Sequence, residues 1–161
     1  MAGAATAASE SESGLITRLR LLLLAILALG MVGTGTELVL LEHMESRWQL
    51  VPLFALGYGL IACIAVAIRP ARFTVRLLRV LMLVFIAAGL TGLYLHYSGN
   101  MEFELEMYPS MTGLELFWES VTGATPALAP GTMVQLGLLG LVFSFRHPAL
   151  RGSTAQTTEK E

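Results

Sequence analysis

The stretch TGTELVLLEHMES, residues 34–46, carries Glu37, Glu42, His43 and Glu45 at the end of a run that is otherwise apolar. Glu37 stands inside that run, because Leu38, Val39, Leu40 and Leu41 follow it. A charged group costs roughly 3 kcal/mol at the centre of a membrane helix, so such an acid must pair or stay protonated. Held that way it can relay a proton, ligate a cation, or simply hydrogen-bond a neighbouring helix as structural glue.

Helical spacing indicates where Glu37 turns. Gly30, Gly33, Thr34 and Glu37 recur at i, i+3, i+4 and i+7, a face of small residues of the kind that lets membrane helices approach closely. Ala88, Gly92 and His96 form a second such face. Gly59 with Ala55 and Ala62 forms a third, with Tyr58 beside it, and Gln135 stands above Gly137 and Gly140 in a fourth segment. These faces predict close packing at Gly30, Gly33, Thr34, Gly59, Ala88, Gly92, Gly137 and Gly140. They also predict a polar pocket formed by Glu37, Tyr58, His96 and Gln135.

Two further chemistries are open to the same end of the chain. Glu42, His43, Glu45 and His96 offer nitrogen and oxygen ligands suited to a divalent metal, without the regular spacing of a metal motif. His43 and His96 also suit the two axial positions of a haem. Met44, Met101, Met107 and Met111 are soft donors of the sort that hold copper, or else the apolar side of a loop. No nucleotide loop, nucleophile triad or cysteine-based metal motif is present. The lone Cys63 lies in an apolar run and cannot close an intramolecular disulfide. The residues name no cofactor.

The elements that must position these groups are membrane helices. Of 161 residues, 55% are hydrophobic and only 14% charged, against about 25% charged in soluble domains. A bilayer core takes about 20 helical residues, and spans are expected at about 21–41, 51–68, 77–97 and 127–145. The fourth is weak. It reaches a sufficient length only if its helix starts near Pro126 and kinks at Pro130.

Nine of the ten basic residues flank one side of these spans, and Arg47 alone stands on the other. The positive-inside rule then predicts a multi-pass protein of the cell membrane with both termini cytoplasmic. Positive charge is too sparse for nucleic-acid binding. The outer loop, 98–126, opens with MEFELEM, whose strict alternation predicts a short extended segment. Thr112 and Glu115 then form a capping-box pattern, and 113–122 reads as an amphipathic interfacial helix ending at Gly123. Residues 1–13 and 148–161 lack apolar periodicity and are expected to be disordered tails.

The expected fold is thus an all-α, four-transmembrane-helix bundle in a lipid bilayer. Its favoured role is a non-catalytic accessory component that binds a membrane protein partner or assembles as a homo-oligomer. A small proton- or cation-coupled carrier using Glu37 ranks second, and a membrane redox or metal-binding protein using His43 and His96 ranks third. The inner halves of the spans carry almost no polar residues, which disfavours a through-path.

Overall fold

The computed structural model describes the backbone from residue 2 to 151 and side chains from residue 12 to 151. Among the described residues the chain is all-helical: α1 (Ala2–Leu40), α2 (Arg47–Ile68), α3 (Arg72–Met107), α4 (Gly113–Thr122) and α5 (Gly131–Ser144), followed by a single 3₁₀ turn at Pro148–Leu150. Three helices are long and apolar enough to cross a membrane: the Glu12–Leu40 part of α1, α2 and α3. The shorter α5 is also apolar.

The register of the bundle is legible in its closest approaches. Gly30 of α1 meets Leu136 of α5, and Leu27 reaches Gly140. Gly59 of α2 lies between Phe85 of α3 and Met31 of α1. Along α3, Gly92 meets Pro130, Gly89 meets Val134, and Ile86 and Met82 meet Gly137 and Gly140. Rising numbers on α1 and on α3 meet falling numbers on α5, and with short connections on either side of α2 the order α1, α2, α3, α5 alternates up and down. Leu27, Met31, Val75, Leu78, Met82 and Phe85 form the centre of the core. A Cβ at Gly140 would overlap the Met82 side chain, and one at Gly137 would sit 2.7 Å from the Met82 carbonyl. Only glycine allows α5 this close to α3.

Several local expectations give way. MEFELEM is not extended, because α3 continues through Met107. Asn100, Met101, Glu104 and Leu105 are its less exposed residues, a helical spacing. Leu, Met and Glu are good helix formers, and lengthening an existing helix is far easier than nucleating a new element. α1 likewise starts at Ala2, where an irregular tail is expected through residue 13: alanine, the strongest helix former, recurs up to residue 8, and the stretch lengthens an existing helix. At the other end, Ala149 and Leu150 pack against the core, so the tail expected from residue 148 does not begin there. Its remainder, 152–161, lies outside the described residues.

α5, at the place of the expected fourth span, begins at Gly131 rather than near Pro126. Residues 126–133 instead form successive tight turns, with Ala129 N–H donating to the Pro126 carbonyl at 3.1 Å and Met133 N–H to the Pro130 carbonyl at 3.0 Å. Pro130 lacks the N–H that an α-helix would aim at Pro126. The expected kink is therefore a helix start.

α4 occupies residues 113–122 as the amphipathic pattern predicts, but its ends differ from expectation. Thr112 has the extended backbone of an N-cap, yet its side chain makes no capping bond. Gly123 ends the helix with φ −64°, outside the left-handed region. It is glycine because a Cβ there would lie 2.9 Å from the Asn100 side chain.

Candidate functional site

The end of the bundle that holds Glu37 is organised by two devices. The first is the turn that closes α1. His43 N–H donates to the Leu38 carbonyl at 2.9 Å and Glu42 N–H to the Val39 carbonyl at 3.1 Å. That pair of bonds is a Schellman motif, with Glu42 in its left-handed position at φ 51°. The turn brings His43 back over the bundle, where its ring centroid lies 6.2 Å from that of His96 on α3. Ser46 and Gln49 then start α2 with a reciprocal capping box, Gln49 N–H to Ser46 Oγ at 3.3 Å and Ser46 N–H to Gln49 Oε1 at 2.8 Å.

The second device is Asn100, only 3% exposed. Its Nδ2 donates to the carbonyls of Ser120 at 2.9 Å and Thr125 at 2.7 Å. Its Oδ1 accepts from Thr125 N–H at 3.2 Å and from the Thr125 hydroxyl. One amide thus ties the end of α4 and the loop after it to α3. Tyr97 supports the same contact, with its ring 6.0 Å from Phe117. Leu114, Phe117 and Trp118 remain largely exposed on α4.

The four residues expected to share a pocket do not form a buried cluster. Glu37, Tyr58 and Gln135 are each exposed, Tyr58 at 61%. Tyr58 adjoins Gly59, which sits against Met31, and Gln135 adjoins Leu136, which sits against Gly30. They therefore lie about 6–9 Å along the bundle from Glu37, by helical rise. Only His96 is partly buried, and its Nδ1 is fully enclosed without a hydrogen-bond partner.

Nor do Glu42, His43, Glu45 and His96 converge as a ligand set. Among the described residues no three of His, Cys, Asp and Glu stand close enough to hold a metal ion. Glu42 is committed to the left-handed position of the turn and is exposed, which leaves the two histidines as a pair. Burial, and then His96, hold the His43 imidazole below its ordinary pKa of 6.5, with Glu45 opposing the shift.

The small faces divide. At Gly30, Gly59, Gly92, Gly137 and Gly140 an added Cβ would meet a neighbouring helix or turn within 3 Å. Gly89 is equally crowded, against Val134 of α5 and the Pro130 carbonyl, and lies one position off the Ala88, Gly92 and His96 spacing. Thr34 and Ala88 are half-buried. Gly33 departs from the expected packing: a Cβ there would meet nothing within 4 Å. It shares its open face of α1 with Leu29, Val32, Thr36, Glu37 and Leu40, all exposed.

No family model, curated protein or solved structure matches the chain.

The opposite end of the bundle carries an arrangement that the sequence did not single out. Arg79 of α3 donates from Nη2 to the Ser144 carbonyl at 2.7 Å and from Nε to the Ser144 hydroxyl at 3.2 Å. Arg20 of α1 donates from Nη2 to the carbonyls of Arg146 at 3.2 Å and Phe145 at 3.5 Å. Carbonyls at a helix C-terminus have no partner within the helix and carry partial negative charge. Two arginines from flanking helices satisfy them here. His147 follows, 8% exposed, with its ring 5.4 Å from Phe143. Burial, then Arg20, hold its pKa below 6.5.

Proposed function

We propose that the chain is a non-catalytic membrane component with four spans and both termini cytoplasmic, docking a membrane partner through the outer half of α1. The observation that carries this is the open face holding Gly33, Thr36 and Glu37. Polar side chains on membrane helices turn towards protein or water because hydrocarbon cannot pair with them. Glu37 lies 17 residues beyond Arg20, about 25 Å by helical rise, so it sits just inside the far boundary of a core about 30 Å thick. Gly33, one turn below it, leaves room for another backbone. The exposed apolar side of α4 supports an interfacial placement on the same side.

The proposed fourth span consists of α5 with the turns before it. α5 contributes about 21 Å by helical rise. The turns from Pro126 add about 2 Å per residue, as 3₁₀ geometry does. Cysteines placed at Glu12 and Ser110 in a Cys63→Ala background test the orientation with an impermeant thiol reagent on spheroplasts. Labelling at 110 alone is expected, and labelling at 12 alone contradicts the orientation. Affinity purification from native membranes tests docking. The parent should carry a stoichiometric second protein or copy that Glu37→Leu loses, and a parent that purifies as a bare monomer contradicts the reading.

A second reading rests on the histidine pair. A zinc–imidazole bond is about 2.0–2.1 Å, so rings with centroids 6.2 Å apart lie within reach of one ion or one haem iron after small rotations. The enclosed, unpartnered Nδ1 of His96 supports it. Metal content and visible absorbance of the purified chain test this: a bound metal or Soret band lost in both His43→Ala and His96→Ala supports it, and a colourless, metal-free protein rejects it.

A further inference from the structure

The arginine-rich end of the bundle contains a cavity of about 290 Å³ between α1, α2 and the segment after α5, with Arg20 and His147 in its wall. A second cavity of about 240 Å³ continues from it along the groove between α1 and α2. The two share Leu21, Leu24 and Ala67, so they adjoin as one open, groove-like channel whose polar side chains stand at the Arg20 end. Its upper part is open because Ala25, Ala28 and Cys63 are small. From Leu21 to Ala28 it extends about 10 Å by helical rise.

From this juxtaposition we infer that the channel holds an anionic phospholipid of the leaflet on the arginine-rich side, its phosphate at Arg20 and His147 and one acyl chain in the α1–α2 groove. Three observations carry it. Arg20 spends only Nη2 on the Phe145 and Arg146 carbonyls, and a guanidinium has five N–H donors. The remainder can bind a phosphate. His147 accepts the Ala149 N–H at Nδ1, 3.2 Å away, so its neutral ring carries the proton on Nε2 as a further donor. Beyond these two donors the groove is lined by apolar side chains, suiting an acyl chain. Arg18, Arg69, Arg146 and Arg151 are exposed at the same end and add to the attraction for an anionic headgroup. Basic pockets between membrane helices at this depth bind such lipids.

The site is independent of what docks at the Glu37 end. The test titrates delipidated full-length protein in detergent with phosphatidylglycerol, phosphatidylcholine of the same chains, or inorganic phosphate, and reads bound lipid by native mass spectrometry. The wild type should retain phosphatidylglycerol at least tenfold better than phosphatidylcholine, with phosphate failing to compete at equal concentration. Arg20→Gln should reduce that preference to near unity. Because Arg20 also closes α5, Ala67→Leu provides the deciding variant. It narrows the stretch that the two cavities share while keeping both headgroup donors in the chain, and should cut phosphatidylglycerol retention at least fivefold at unchanged thermal stability. Equal retention of the two lipids by the wild type overturns the proposal. So does full retention by a folded Ala67→Leu, and so does displacement by phosphate alone, which would mean a simple anion site.

Discussion

Arg79 and Ser144 are 65 positions apart in the sequence and joined twice, through the Ser144 carbonyl at 2.7 Å and its hydroxyl at 3.2 Å. The link fixes the register of α3 against α5 at the end where α5 stops. It also gives an arginine near the start of an apolar helix a task other than reaching for water. Hydrogen bonds from charged donors contribute about 1.5–3 kcal/mol. Arg79→Met should therefore lower stability in detergent by about 2 kcal/mol, and Arg79→Lys should recover less than half, since an ammonium lacks the planar fork. Thermal unfolding followed by circular dichroism measures both, and an unchanged midpoint for Arg79→Met refutes the assignment.

Glu42 holds a left-handed backbone at φ 51° for the sake of the turn that delivers His43. A residue with a Cβ loses roughly 1–2 kcal/mol in that conformation. Glu42→Gly should raise the unfolding midpoint, by an amount corresponding to about 1 kcal/mol, while preserving the His43–His96 approach. A fall in stability would show that the Glu42 side chain itself contributes.

Asn100 makes four contacts with Ser120 of α4 and Thr125 of the loop after it. Asn100→Leu strands the carbonyls of Ser120 and Thr125, each at a cost of about 1–3 kcal/mol where it stays dry. The expected outcome is release of α4, read as faster proteolysis within 109–125 and a changed Trp118 emission. Protection equal to the parent would contradict the clamp.

His43 and His147 both have folded-state pKa values below their ordinary 6.5. The unfolded chain therefore binds more protons than the folded one just below that pH. Stability should be full above about pH 6.5 and decline as pH falls towards the lowered folded values. The double variant His43→Gln, His147→Gln should flatten that decline, and a parent equally stable from pH 7.5 to 5 contradicts the stated directions.

The glycine faces separate packing within the chain from docking between chains. Gly140→Leu should prevent folding, since even a Cβ there overlaps Met82. Gly33→Leu should fold as well as the parent, because the position is open, yet lose the partner. Equal damage to folding from both would place Gly33 inside the bundle.

The helical class and the apolar segments were legible because length and hydropathy are one-dimensional properties. The end of α2 at Ile68, before Arg69 and Pro70, is local in the same sense. MEFELEM was misread because its alternation also suits a helix already under way, and local period cannot rank the two when Leu, Met and Glu favour the helix. The Glu37, Tyr58, His96 and Gln135 grouping rested on weaker signals. Shared faces and approximate depth do not determine how far each helix is rotated about its axis, and Tyr58 and Gln135 face outward. Asn100, Arg20 and His147 carried no motif. Their roles depend on backbone carbonyls distant in sequence, which no spacing rule locates.

The central claim is that the Gly33–Glu37 face meets protein rather than lipid. The most direct measurement replaces Thr36 with a photo-reactive residue in cells and resolves the adducts by mass, with Leu83, exposed on α3, as the control position. A discrete protein adduct from position 36 that is absent from position 83 and lost with Gly33→Leu is the predicted result. Lipid adducts alone from both positions would contradict the docking face and the function built on it.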